Sequence, residues 1–249
     1  MDGNAPRPAA APAPASAPGH RLTQFRLCPA SRAVRLALGE LGIEVVLEEE
    51  RPWEMRAAFL ALNPAGELPV LTLMHGAWLC GAYAIVEYVA EEVQTHPHDG
   101  GRVPLFPGTP EARAEVRRLV DWFQVKFARE VSRDLLSEKV YSRFDRASAR
   151  APNADMMRAV RANLRYHLSY IAYLAYQRRW LAGDDLSFAD MAAAAHVSLA
   201  DFLNEVPWSD YPYAKEWYQR VKSRKAFQPL LSDRVPGVVA PHHYADLDF

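Results

Sequence analysis

The chain has 249 residues, half of them hydrophobic, which is enough for one large or two ordinary domains with a sizeable core. Its 29 basic and 30 acidic residues give a formal net charge of −1, so there is no positive field to hold a nucleic acid. No apolar run approaches the roughly 18 to 20 residues that cross a bilayer. These observations exclude a membrane-spanning protein and argue against a nucleic-acid partner.

The two cysteines, Cys28 and Cys80, are too few for the disulfide framework of a small secreted domain. We therefore expect the reducing environment of the cytoplasm. His96, His98 and Asp99 lie close together, but in a proline-broken connector with no cysteine nearby. A solvated loop explains them better than a metal site, and no metal is predicted.

Shifts in composition divide the chain into five regions. We predict an extension, a first domain, a linker, a second domain and a tail, which are residues 1–20, 21–94, 95–110, 111–231 and 232–249. The extension contains seven Ala and five Pro and almost no bulky side chain. Such a segment cannot bury enough surface to offset its ordering entropy, so it is predicted to be disordered.

The first domain has the pattern of a small mixed sheet flanked by helices. Its predicted elements are strand, helix, strand, helix, a hairpin and a last helix: residues 22–27, 29–41, 44–48, 54–60, 66–79 and 84–91. Pro29 suits the first turn of the first helix, and Gly42 suits its end. A βαβ unit followed by a hairpin and a helix predicts an α/β layer structure.

In the second domain, strand patterns disappear and the predicted structure is all-helical. Two long helices each carry an apolar stripe at helical spacing, the first with Val116, Leu119, Val120, Phe123 and Phe127, the second with Val160, Leu164, His167, Leu168 and Ile171. Ser187 and Asp190 have the spacing of a capping box at the start of a further helix.

Several motifs in this order resemble the cytosolic glutathione transferases. They are Cys28-Pro29-Ala30-Ser31 with Arg32 and Arg35 behind it, Gly66-Glu67-Leu68-Pro69-Val70-Leu71, Ala84-Ile85 before Tyr88, and Gly183-Asp184 leading to Ser187 and Asp190. The resemblance covers about residues 22–231. It implies a thioredoxin-like N-terminal domain with a cis Pro69 and a helical-bundle C-terminal domain, the α/β plus all-α fold of that family.

The turn at Cys28 leaves two interpretations open. At the start of a helix, unsatisfied amides and the positive end of the dipole favour a thiolate, which would make Cys28 a nucleophile with help from Ser31. By resemblance, Cys28 occupies the position that cysteine or serine uses in several transferase classes. The alternative is a small, partly buried residue beside a first-turn hydroxyl.

The glutathione site of the family is degenerate in this sequence. The family places an acid and then a serine or threonine before the last N-domain helix to hold the γ-glutamyl group, and these positions are Gly81 and Ala82 here. Of the family's contacts with glutathione, we expect the backbone contacts of Leu68, before Pro69, to remain available. A lost charge-assisted hydrogen bond costs about 1.5 to 3 kcal/mol, so we expect glutathione to bind poorly and predict no cofactor.

A closer resemblance is to a branch of the family that does not use glutathione and binds the tubulin-like division protein FtsZ. It rests on four segments: residues 25–32, 50–54, 163–168 and 233–249. This resemblance implies a non-catalytic cytoplasmic homodimer that binds FtsZ filaments at the division site and changes their curvature. The alternatives are a glutathione-dependent transferase or thiol reductase using Cys28, and a dimeric scaffold for another partner.

Large apolar side chains in polar surroundings are candidates for contact with a partner. Trp53 lies in a charged connector and is either packed on the core or offered to a partner, where Trp is enriched. The tail carries Tyr244, Leu247 and Phe249, which a fraying end does not need, so we expect it to dock on this chain or another. The tyrosines of the second long helix, Tyr166, Tyr170 and Tyr173, are predicted to be core residues, with a partner surface as the lesser alternative.

Overall fold

A four-stranded mixed sheet forms the N-terminal domain of the computed structural model, which describes residues 19–95, 104–144 and 150–247. The strands are β1 (His20–Gln24), β2 (Val45–Glu49), β3 (Val70–Thr72) and β4 (Trp78–Cys80), in the order β2-β1-β3-β4. β1 is parallel to β2 and antiparallel to β3, and β3 is antiparallel to β4. The parallel pair needs a crossover connection, which a helix provides.

Three α-helices accompany the sheet: α1 (Pro29–Glu40), α2 (Ala57–Leu62) and α3 (Ala82–Thr95). The predicted helix over residues 54–60 is wrong in its start, because a 3-10 turn at Pro52–Glu54 comes first and Met55 then takes a left-handed φ of 46°. The predicted first strand also ends three residues too late, since the chain turns after Gln24 toward Cys28. The predicted order of elements is confirmed.

The C-terminal domain begins with one long continuous helix, which we call the rod, in which α-helical and π-helical segments alternate. It consists of α4 (Pro110–Asp121), a π-helical segment (Trp122–Ser132), α5 (Arg133–Leu136), a second π-helical segment (Ser137–Tyr141) and α6 (Ser142–Phe144). The predicted apolar stripe of this rod is buried from Val116 to Phe127. π-helical segments are rare and often lie near functional sites.

The remaining helices pack around a fully buried one. They are α7 (Ala154–Gln177), α8 (Phe188–Phe202), α9 (Pro212–Lys222) and α10 (Gln228–Leu231). Every residue of α8 is buried, and α8 packs against both the rod and α1 of the other domain. Among the described residues, no helix is long and apolar enough to cross a membrane.

The predicted capping box at the start of α8 is present. The Ser187 amide donates to Asp190 Oδ2 at 3.1 Å, and the buried Asp190 Oδ1 accepts from the Leu181 amide and the Trp217 indole, each at 2.9 Å. One carboxylate therefore fixes the helix start, the preceding turn and α9. Such a cap contributes about 0.5 to 2 kcal/mol.

Candidate functional site

The turn that precedes α1 places Cys28 at the N-cap position, half-buried and without a side-chain capping bond. Burial raises the pKa of the Cys28 thiol, although contacts with Ser31 and Arg32 act in the opposite direction. Desolvation disfavours the charged form. Burial thus opposes the thiolate that the helix end would favour, and a nucleophilic role for Cys28 stays a prediction.

Ser31, the predicted helper of Cys28, is completely buried in the first turn of α1. Tyr141, from the C-terminal rod, lies close enough to Cys28 for their charges to interact, and burial raises the pKa of its phenol. The surroundings of the thiol are thus a buried hydroxyl and a neutral phenol. Neither group is a base that could activate a nucleophile at neutral pH.

The degenerate glutathione site takes the backbone form that the resemblance implies. The Leu68–Pro69 peptide bond is cis, as predicted, and the Pro69 carbonyl accepts from the Gly81 amide at 3.0 Å. Gly81 has a left-handed φ of 87°, and Ala82 starts α3 as a buried residue. The backbone at these positions therefore has the cis bond that the resemblance implies, and the two residues carry no charged or hydroxyl side chain.

Four aromatic rings pack together between the two domains, and we call them the cleft cluster: Phe25, Trp53, Tyr141 and Phe144. Trp53 stacks on Phe144 with ring centroids 5.2 Å apart, and it lies 4.8 Å from the ring of Tyr141. Its edge contact with Phe25 is at 5.2 Å. Trp53 is half-buried against the core, so its main contacts are within the chain. A partner contact through its remaining surface stays a prediction.

The first two turns of α1 carry a set of buried polar contacts at the junction of the domains. Arg32 is completely buried, and its guanidinium donates to the Arg26 carbonyl at 2.6 Å, to the Ser198 hydroxyl at 2.8 Å and to the Tyr244 hydroxyl at 2.9 Å. Its side chain also lies over the rings of Phe202 and Tyr244. Arg32 thereby joins the N-terminal domain, α8 and the tail.

Asp233 completes this junction from the start of the tail. It accepts from Arg35 through two bonds of 2.9 and 3.0 Å, and it lies 3.4 Å from Arg32. All three charged groups are buried. The sequence offered a signal for this cluster, since two arginines stand one turn apart in a largely apolar helix, but it did not indicate the partner.

The tail docks back onto its own chain, one of the two outcomes expected. Tyr244 is buried at 1% exposure, so it cannot contact a partner directly as predicted, and it acts instead by anchoring the tail. The buried Lys222 donates to the carbonyls of His243 and Asp246 at 3.2 and 2.6 Å, and burial lowers its pKa to about 8. Leu247 is 38% exposed, whereas Phe249 lies outside the described residues.

The remaining predictions from the sequence concern the connector, the N-terminal extension and the tyrosines of α7. His96, His98 and Asp99 lie outside the described residues, as do residues 1–18 of the predicted extension. Within the described ranges, no group of three potential metal ligands is found. The core assignment of the tyrosines is wrong for Tyr166 and Tyr173, which are 56% and 55% exposed, because only one face of α7 meets the bundle.

Two family models match the chain, the glutathione S-transferase N-terminal domain over residues 27–92 and the glutathione S-transferase C-terminal domain over residues 133–225. FtsZ-localized protein A of Caulobacter vibrioides is 46% identical over 231 residues, which are 92% of this chain and 97% of that protein. A crystal structure of a glutathione S-transferase from Sinorhizobium meliloti 1021 has 46% identity and a TM-score of 0.88, and covers 93% of this chain and 100% of its own. The structure of FzlA from C. crescentus has 44% identity and a TM-score of 0.85, with coverage of 93% and 100%. The chain therefore belongs to the glutathione S-transferase family.

Proposed function

We propose that the protein binds FtsZ filaments and regulates their curvature and constriction in bacterial cell division, without catalysing a reaction. The observation that carries this proposal is the 46% identity to FtsZ-localized protein A over nearly the full length of both chains. The glutathione positions support it, because Gly81 and Ala82 provide no side chain to hold the γ-glutamyl group. A fold can keep its scaffold while its function moves to another surface.

The working form in this proposal is a cytoplasmic homodimer at the division site. A symmetric dimer carries two identical contact surfaces at an angle that the dimer interface fixes. When one dimer holds two FtsZ subunits, the second contact is intramolecular and gains from effective concentration. A fixed angle between the two contacts would then bias the curvature of the filament.

We place the contact with FtsZ at Trp53 and at two residues of the tail, Leu247 and Phe249. Trp53 is half-buried at the junction of the domains, and Leu247 is 38% exposed. The buried Tyr244 supports this surface by holding the tail against Arg32. Aromatic anchors with such backing are typical of binding hot spots.

Co-sedimentation with FtsZ polymers tests the proposal. The wild-type protein should pellet with polymerised FtsZ and remain in the supernatant with unpolymerised FtsZ, and electron microscopy should show filaments of altered curvature. Light scattering after size exclusion should give the mass of a dimer. A protein that stays in the supernatant with intact polymers would contradict the proposal.

A second candidate function is a glutathione-dependent transferase or thiol reductase that uses Cys28. The 46% identity to a solved glutathione S-transferase favours it. The raised pKa of Cys28 and the side chains missing at Gly81 and Ala82 oppose it. Isothermal titration with glutathione separates the two candidates, since micromolar affinity supports the transferase and undetectable binding removes it.

A further inference from the structure

A basic cavity of about 570 Å³ lies where the end of α1 meets the turn after α9. Its charged and aromatic walls are Glu40, Arg179, Trp180, Arg220, Arg224 and Lys225. Four of these residues are cationic and one is acidic, in a chain whose net charge is only −1. The positive charge is therefore concentrated here and does not reflect a generally basic protein.

The single acid of this basic cavity is already neutralised. Both oxygens of Glu40 accept from Arg224, at 2.5 and 2.7 Å. Arg179, Arg220 and Lys225 are exposed and form no ion pair within the described chain, although Arg220 lies 5.3 Å from the centre of the Trp180 ring. Three positive charges thus remain without an acidic partner, which makes the cavity complementary to an anion.

An apolar groove of about 270 Å³ adjoins the basic cavity. The two share Gly39, Lys225 and Ala226, and an added Cβ on Gly39 would lie only 3.0 Å from the Cβ of Ala226. The apolar walls of the groove include Leu38, Ile43, Val45, Leu47 and Leu230. The groove therefore lies directly beside the basic cavity, and Lys225 lines both.

The groove also runs along the edge of the sheet. β2 is an edge strand, since it pairs only with β1 in the described sheet, and Leu47 on it is 45% exposed. An exposed edge strand offers backbone amides and carbonyls to an extended chain. The cavity and the groove thus offer a ligand cationic side chains, an apolar surface and backbone hydrogen-bonding groups next to one another.

We infer that the basic cavity and the adjoining groove together bind an acidic peptide segment of a partner protein. Its carboxylates would lie against Arg179, Arg220 and Lys225, and a neighbouring aliphatic side chain would pack on Leu47. A simple anion such as phosphate would leave the groove unused, and a nucleic acid needs a larger basic surface than one cavity. The inference is independent of FtsZ binding.

Selection from a phage-displayed library of random peptides tests this inference on the full chain. The wild-type protein should enrich peptides with Asp or Glu next to Leu, Ile or Val. A variant with Arg179→Gln and Lys225→Gln should lose that enrichment, since it removes two exposed cations without breaking an ion pair. A control with Arg133→Gln and Arg158→Gln, two exposed arginines elsewhere, should retain it.

Fluorescence anisotropy on the most enriched peptide then measures the site. The double variant at Arg179 and Lys225 should weaken affinity by about tenfold or more, and Leu47→Ser should weaken it severalfold. Selection without an acidic bias, or affinity equal in the double variant and the wild type, overturns the inference. Displacement of the peptide by inorganic phosphate or by a single-stranded oligonucleotide at similar concentrations also overturns it, because either result identifies a different class of ligand.

Discussion

The N-cap of helix α1 and the turn that follows it differ in the contacts of their polar residues. At the N-cap, burial raises the pKa of the Cys28 thiol, its side chain makes no capping bond, and Gly81 and Ala82 offer no polar side chains. One turn further along, Arg32 binds four groups and shares Asp233 with Arg35. The polar contacts that hold the domains and the tail together therefore come from Arg32 and Arg35 and not from the N-cap.

The largest loss of stability is expected from breaking the contacts of Arg32. Arg32→Met should lower the free energy of unfolding by about 3 to 5 kcal/mol, because it leaves the buried Asp233 and Tyr244 with fewer partners. Urea denaturation measures this change. The control Arg158→Met removes a surface ion pair and should change stability by less than about 1 kcal/mol. Equal stability of Arg32→Met and wild type would show that the junction is not a stabilising contact.

In the C-terminal domain, the stability of the fold also depends on the protonation state of a buried histidine. His167 accepts at Nδ1 from the Trp122 indole at 3.1 Å and donates from Nε2 to Glu130 at 3.1 Å, so it is neutral. Burial lowers its pKa to about 4, from 6.5 in the unfolded chain. The unfolded state therefore binds more protons between these values, and the stability contributed above pH 6.5 is lost as the pH falls toward 4.

Replacing His167 isolates its contribution to the pH dependence of stability. Relative to His167→Gln, the wild type should lose about 3 kcal/mol of stability between pH 6.5 and 4. Urea unfolding at a series of pH values gives the two curves, and titrating groups that do not interact with His167 cancel in their difference. Glu130 and His196 interact with His167, so His196→Gln is added to both proteins and leaves Glu130 as the coupled group. Parallel curves would mean that His167 titrates alike in the folded and unfolded chains.

A smaller effect is expected at the cleft cluster. Trp53→Ala should cost roughly 2 kcal/mol, less than a fully buried Trp, because the ring is half-buried against Phe144 and Tyr141. Melting temperature and FtsZ co-sedimentation are measured on the same sample. Lower stability with unchanged binding of the folded protein would remove Trp53 from the proposed contact. Loss of binding at nearly unchanged stability would support it.

The smallest effect on stability is expected at the degenerate glutathione site. Gly81→Glu with Ala82→Ser restores the acid and hydroxyl of the family, but the left-handed φ of 87° at Gly81 strains any L side chain by about 1 kcal/mol or more. An added Cβ at Gly81 meets no atom within 4 Å, so no clash adds to this cost. The variant should melt slightly lower and bind glutathione about tenfold or more tighter than wild type by titration calorimetry. An unchanged affinity would mean that the pocket is closed by other groups, such as the cleft cluster.

The sequence by itself determined the order of elements, the buried stripe from Val116 to Phe127, the capping box at Ser187 and the position of Pro69. These features depend on residues close together in the chain, so spacing and turn chemistry suffice to predict them. The absence of polar side chains at Gly81 and Ala82 could also be predicted, because it depends only on which residues occupy two positions of a motif.

The tertiary structure alone decided what is buried and which distant groups meet. Arg32 and Asp233 are 201 residues apart, and no local pattern relates them. The exposure of Tyr166 and the desolvation of Cys28 depend on whether another element covers the side chain, and periodicity within one helix does not show this. A helix end favours the Cys28 thiolate, whereas burial raises the pKa of the thiol. Burial and long-range pairing are properties of the assembled chain, and they set the chemistry of its sites.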